Sequence, residues 1–181
     1  MPMTEEQFDI VDEQNKVTGK VCSRVDAHTL GLWHRTVHVY YLNYKENVCS
    51  VLVHLRSASK DLYPSCWDTR FGGHIKAGES VEQTVVDELA EEIGLSVAAS
   101  ELLAGPIRKR DKYPNREFTH TYFFRGSKSI DGLSFTDREV QEVKWMTIEE
   151  IVTSMQHEPR NWSGSPESLV EVIQTFLATV E

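Results

Sequence analysis

The sequence predicts an α/β (α+β) fold in one domain, residues 1–181, with a mixed β-sheet sandwiched between helices. Three observations lead there. Short runs of β-branched and aromatic residues recur along the chain, turn-forming residues separate them, and three segments carry helix-start signals. With 181 residues, 40% hydrophobic and 26% charged, the chain can bury one substantial core but not comfortably two.

Residues 8–22, FDIVDEQNKVTGKVC, read as two strands around a polar turn at Asp12 to Asn15, an N-terminal hairpin. The stretch AHTLGLWHR that follows reads as irregular. TVHVYYLN at 36–43 and VCSVLVHLR at 48–56 make two central strands, with KEN as their turn. Residues 57–72 contain Pro64 and no period, so they read as a surface loop leading to a short strand, and loops of that length commonly carry function. Ser80 with Gln83 three residues on makes a capping-box pattern, and Gly94 suits a left-handed C-terminal position. A helix is expected over about 81–93. LLAGPIRKR, EFTHTYFFRG at 117–126 and EVQEVKWM at 139–146 supply further strands. Thr147 with Glu150 opens a second helix, and Ser165-Pro166-Glu167 a third that runs nearly to the C-terminus.

A formal net charge of −9 works against prolonged contact with nucleic-acid polymers or anionic membranes. No apolar run approaches the roughly 20 residues that cross a bilayer, and MPMTEEQFDI lacks the features of a signal peptide, so a cytoplasmic location is expected. Cys22, Cys49 and Cys66 are odd in number and lack metal-ligand spacing; they read as reduced packing residues. The oligomeric state stays open, with a homodimer among the alternatives.

On a helical wheel with Glu88 at 0°, Glu92 falls near 40° and Glu91 near 300°, so the three carboxylates share an arc of roughly 100°. Val81, Val85, Leu89, Ile93 and Val86 form the core-facing stripe, and Glu92 falls inside its margin. Like charges at this spacing repel, and one of them borders the core. No Lys or Arg occurs between Ala77 and Arg108, so the helix cannot compensate them itself. A hard divalent cation with oxygen ligands is the economical answer. Gly72, Gly73 and Gly78, just ahead of the helix, permit a tight turn close to a metal or phosphate.

The run GHIKAGESVEQTVVDELAEEIGL at 73–95 resembles the Nudix box, G-x5-E-x7-R-E-U-x-E-E-x-G-U with U apolar, and matches every specified position but one. The resemblance implies a Nudix fold and Mg²⁺- or Mn²⁺-dependent hydrolysis of a diphosphate linkage in a nucleoside diphosphate derivative or related small molecule. It implies Glu88, Glu91, Glu92 and the Gly73 carbonyl as metal ligands, with Glu91 and Glu92 catalytic. The carboxylate that takes a proton from water would be Glu91 or, from the later strand, Glu139 or Glu142. Asp87 stands where the family has Arg, which adds to the repulsion unless Arg70, Lys76 or His74 compensates.

A wider resemblance, over about 8–150, is to type I isopentenyl-diphosphate isomerase and its closest hydrolases. It implies that Arg56 and Lys60 grip a diphosphate, and Arg35 joins them as a candidate substrate cation. The isomerases use a cysteine just before the box region, a metal site of histidines and acids, and a glutamate-x-glutamate pair. Here Phe71-Gly72-Gly73 occupies the cysteine's place, and the pair is reduced to Glu117-Phe-Thr119, while His28, His34 and His74 remain in similar places. Scattered histidines, His38 included, are more often structural, so none enters the expected ligand set. A non-catalytic nucleotide-binding module is the third reading. Tyr63, Trp67 and Phe71 read as core residues before ring-stacking ones, and Lys109-Arg110-Asp111-Lys112 reads as a loop rim that could favour an anionic substrate.

Overall fold

The computed structural model describes residues 6–60, 62–127, 129–135 and 139–180. Strands β1 (Gln7–Val11) and β2 (Val17–Ser23) form the expected hairpin. Helix α1 (Arg24–Leu30) follows where an irregular stretch was expected. Ser23 Oγ accepts from the Asp26 N–H, and Gly31 closes the helix at φ 65°. Both caps are legible in the sequence, but the helix buries only Ala27, so it has no apolar period to betray it.

The main sheet contains β3 (His34–Lys45), β4 (Val48–Arg56), β5 (Trp67–Asp68), β6 (Leu102–Lys112), β7 (Asn115–Arg125) and β8 (Val140–Thr147). Strand β3 runs parallel to β7; β3 and β4, β4 and β8, and β6 and β7 are antiparallel. Beyond Leu42–Lys45, β4 leaves β3 for β5 and β8. The chain at 71–75 fills the gap: Val37 N–H donates to Gly73 O at 2.9 Å, and Val39 N–H to Phe71 O at 2.8 Å. Gly73, the first box glycine, is thereby pinned to β3. The segment that reads as a surface loop thus ends in buried chain, with Phe71 fully enclosed.

Helix α2 (Val81–Ile93) runs between the predicted caps, with Ser80 Oγ accepting from Gln83 N–H and Gly94 left-handed. It lays Val85, Leu89 and Ile93 against Val37, Val39, Tyr41 and Leu52. Helices α3 (Ile148–His157) and α4 (Pro166–Val180) cover the other face, where Ile151, Met155, Ile173 and Phe176 meet Tyr40, Leu42, Val51 and Phe123. Alternate residues of β3 thus face different helices, as a period of two demands. Each fully buried Leu or Ile contributes about 1.5–3 kcal/mol, so α2 is held in place by its apolar stripe. The three cysteines are free. Among the described residues no helix is long and apolar enough to cross a membrane.

Candidate metal and catalytic site

Helix α2 sets Glu88, Glu91 and Glu92 where its wheel requires: Glu91 is exposed, Glu88 half-buried, and Glu92 only 4% exposed. The Glu88 carboxylate rests against Gly73, so that a Cβ built there would lie 2.2 Å from Glu88 Oε1. Burial, then the neighbouring Glu91 and Glu139, push the Glu88 carboxyl up to about 7, opposed by Lys60 and Lys76. Glu91 and Glu139 thus crowd a half-buried carboxyl, with both lysines opposing them. Gly73 O spends one lone pair on Val37 N–H and keeps another. Carboxylate oxygens and a carbonyl, crowded together, are the donor set a hard divalent ion takes. The residues fit such an ion.

Glu139 joins this cluster from the chain just before β8, where its carbonyl accepts from Ser57 N–H at 2.8 Å. Its carboxylate forms an ion pair with Lys60. Arg56 donates to Leu62 O at 3.0 Å and lies 3.5 Å from Asp68. Asp68 is buried and also takes Arg70, at 2.9 Å. Burial alone would raise this carboxyl, but Arg70 and the other contacts hold it well below the usual carboxylate range. Arg35 stands apart from these groups: its Nε donates to Asn15 Oδ1 at 2.7 Å and its Nη2 to Asn15 O, tying β3 to the hairpin turn.

A family model for the NUDIX domain matches residues 32–167. The Nudix hydrolase CA_C0446 of Clostridium acetobutylicum is 33% identical over 153 residues, 82% of this chain and 73% of that protein. The chain belongs to the Nudix hydrolase family. An isopentenyl-diphosphate isomerase of Salmonella arizonae is 26% identical over 169 residues, 91% of this chain and 88% of that one, as the wider resemblance leads one to expect. The crystal structure of DR0079 from Deinococcus radiodurans superposes with a TM-score of 0.69 at 21% identity, covering 92% of this chain and 99% of that one, and so shares the fold.

Within this Nudix framework Asp87 accepts from Gln83 Nε2 at 2.8 Å. Of the three residues proposed to offset it, Arg70 is bound to Asp68 and His74 to His28. Of the three, Lys76 is the one whose charge bears on Glu88.

His28, His34 and His74 come together despite their separation in sequence, each offering a ring nitrogen within 4.8 Å of the others. Phe8 stacks on His74 at 4.6 Å, and burial pushes the His74 ring down to about 2. No spacing motif links positions 28, 34 and 74, so only the resemblance hinted at the cluster. Asp68, which anchors two arginines, also escaped notice, for a single Asp in a loop carries no local signal. Phe71 packs in the core against His54 at 4.6 Å, Trp67 is half-buried near Trp162, and Tyr63 is exposed. Lys109 to Lys112, expected on a loop rim, form the end of β6.

Proposed function

We propose that this Nudix protein hydrolyses a diphosphate linkage in a nucleoside diphosphate derivative or a related small molecule, using Mg²⁺ or Mn²⁺. The observation that supports it is the seating of the Glu88 carboxylate against Gly73 within a crowded acidic arc. Glu88, Glu91, Glu92 and the Gly73 carbonyl would hold the ion. When bound, the cation offsets phosphate charge and makes water a better nucleophile. The oxygen of water bonds to phosphorus, the bridging P–O bond breaks, and a carboxylate takes the water's proton. Glu91 and Glu139 are the candidates, and Glu139 is held in an ion pair with Lys60. Lys60 and Arg56 supply positive charge for the polyanion. Glu139 lies close enough for its charge to bear on Glu88, which makes it the leading candidate from the later strand.

An isomerase reading draws on the histidine cluster, but position 72 weighs against it. Gly72 has φ 142°, and a Cβ there would lie 2.1 Å from Val37 O, so no cysteine fits where the isomerases carry one. Cys66 donates to Arg160 O at 3.4 Å, held away on another contact.

The test is phosphate release with Mg²⁺ from nucleoside diphosphates, ADP-ribose, dinucleoside polyphosphates and thiamine diphosphate, alongside isopentenyl diphosphate, for the wild type and Glu92→Gln. Release that disappears in Glu92→Gln supports hydrolysis. An allylic product supports the isomerase, and binding without release supports a sensor module. Release that persists in Glu92→Gln would move the chemistry away from this helix.

A further inference from the structure

Three arginines wall a pocket of about 170 Å³ on the sheet face shared with α4. Arg108 and Arg110 come from β6, opposite Thr119 and Glu117 of β7. Arg70 comes from the loop after β5, and His38 and Thr121, register partners on β3 and β7, also line the space. The pocket lies toward the end of the sheet where β3 and β7 begin, and Asp68 links its Arg70 to Arg56, one of the proposed diphosphate-binding cations.

Charge counting shows what such a pocket wants. Arg110 pairs with Glu117 at 3.2 Å, Arg108 with Glu171 at 3.0 Å, and Arg70 and Arg56 both with Asp68. Of the charged groups that line the pocket, three are guanidiniums and one, Glu117, is a carboxylate; Asp68 and Glu171 meet Arg70 and Arg108 from outside the lining. Glu171 is 73% exposed, so solvent weakens its share while the arginine side facing the pocket stays charged. His38 adds no positive charge, because burial and then Arg70 hold its ring neutral, down to about 3. Thr119 Oγ accepts from Thr36 Oγ at 2.9 Å and keeps its own proton for a ligand. The lining thus holds more guanidiniums than carboxylates, and planar forked donors have the geometry that carboxylate and phosphate oxygens satisfy.

We propose that this pocket receives an anionic oxyacid group, a carboxylate or a phosphate, carried by the substrate away from its scissile diphosphate. That the ligand is a substrate rests on the hydrolase reading; the pocket's affinity for an anion does not. Substrates ending in an uncharged group leave the surplus guanidinium unanswered and bind less tightly.

The experiment titrates inorganic phosphate, and separately acetate, into the metal-free full chain while NMR follows the His38 ring. Saturable shifts are expected for at least one anion, and the tighter binder identifies the group. Arg110→Gln should raise the Kd about tenfold, the loss of one charge-assisted contact, and Arg108→Gln with Arg110→Gln should raise it further. Both side chains are partly exposed, and a melting curve checks that each variant folds. Failure of both anions to bind the wild type, or an unaltered Kd in folded variants, overturns the proposal. No turnover enters this measurement, so a protein inert toward every diphosphate would sink the hydrolase reading while the titration still decided the pocket.

Discussion

A Cβ on residue 73 would lie 2.2 Å from Glu88 Oε1, so the carboxylate occupies space that only glycine leaves open. The obstructed atom is the tip of a flexible side chain, so Gly73→Ala should cost little stability yet displace Glu88. Affinity for Mn²⁺ should drop roughly tenfold, with turnover falling alongside. Calorimetry with Mn²⁺ on the folded variant checks this, and unchanged affinity would mean that Glu88 is not a ligand.

If Glu88, Glu91 and Glu92 hold a divalent ion, as proposed, it binds the native chain alone and raises the melting temperature. At a hundredfold excess over Kd the gain is about 2.7 kcal/mol, roughly 5–10 °C for a chain of this size. Glu92→Gln keeps the shape of a residue only 4% exposed and removes the charge. Thermal melts with and without Mg²⁺ should show the rise in the wild type and little of it in the variant. An equal rise in both would place the ion elsewhere.

Asp87 stands beside the acidic arc with Gln83 as its hydrogen-bond donor. Asp87→Arg replaces repulsion by attraction and should change either turnover or the Mg²⁺ concentration needed for half of it by about threefold or more. Superimposable Mg²⁺ titrations of the two proteins would show that this position is silent.

His54 is buried, its Nδ1 has no partner, and burial draws its ring down to about 4 from the ordinary 6.5. Asp68 opposes that shift, while Arg56, Lys60 and Arg70 add to it. Between those values the unfolded chain binds a proton that the native ring refuses, so native stability falls as pH drops from 7 toward 4. By pH 5 the loss from His54 is about 2 kcal/mol. His38, held at about 3, acts with the same sign. Melting temperatures should decline across this range, less steeply in His54→Asn; equal slopes would rule His54 out as a source.

Arg35 joins β3 to the hairpin turn through Asn15. Arg35→Ala should cost about 1–3 kcal/mol by leaving that turn without its donor. Urea unfolding beside substrate kinetics decides its role: a raised KM with unchanged stability would assign Arg35 to the substrate instead.

The sequence by itself determined what depends on near neighbours along the chain. Caps at Ser80 and Gly94 bounded α2, alternation marked the strands, and a wheel of 3.6 residues per turn put three carboxylates on one arc and predicted that Glu92 would meet the core. Helix α1 escaped, because a short helix burying one alanine has no period, and so did the reach of β6 to Lys112. Tertiary structure decided the rest: the seat of Glu88 against Gly73, the pairing of Lys60 with Glu139, the sharing of Asp68 by Arg56 and Arg70, and the meeting of three distant histidines. The reason is physical. Helix and strand periods are local and repeat, whereas an ion pair or a close approach depends on how β4 leaves β3 and lets residues 71–75 into the sheet.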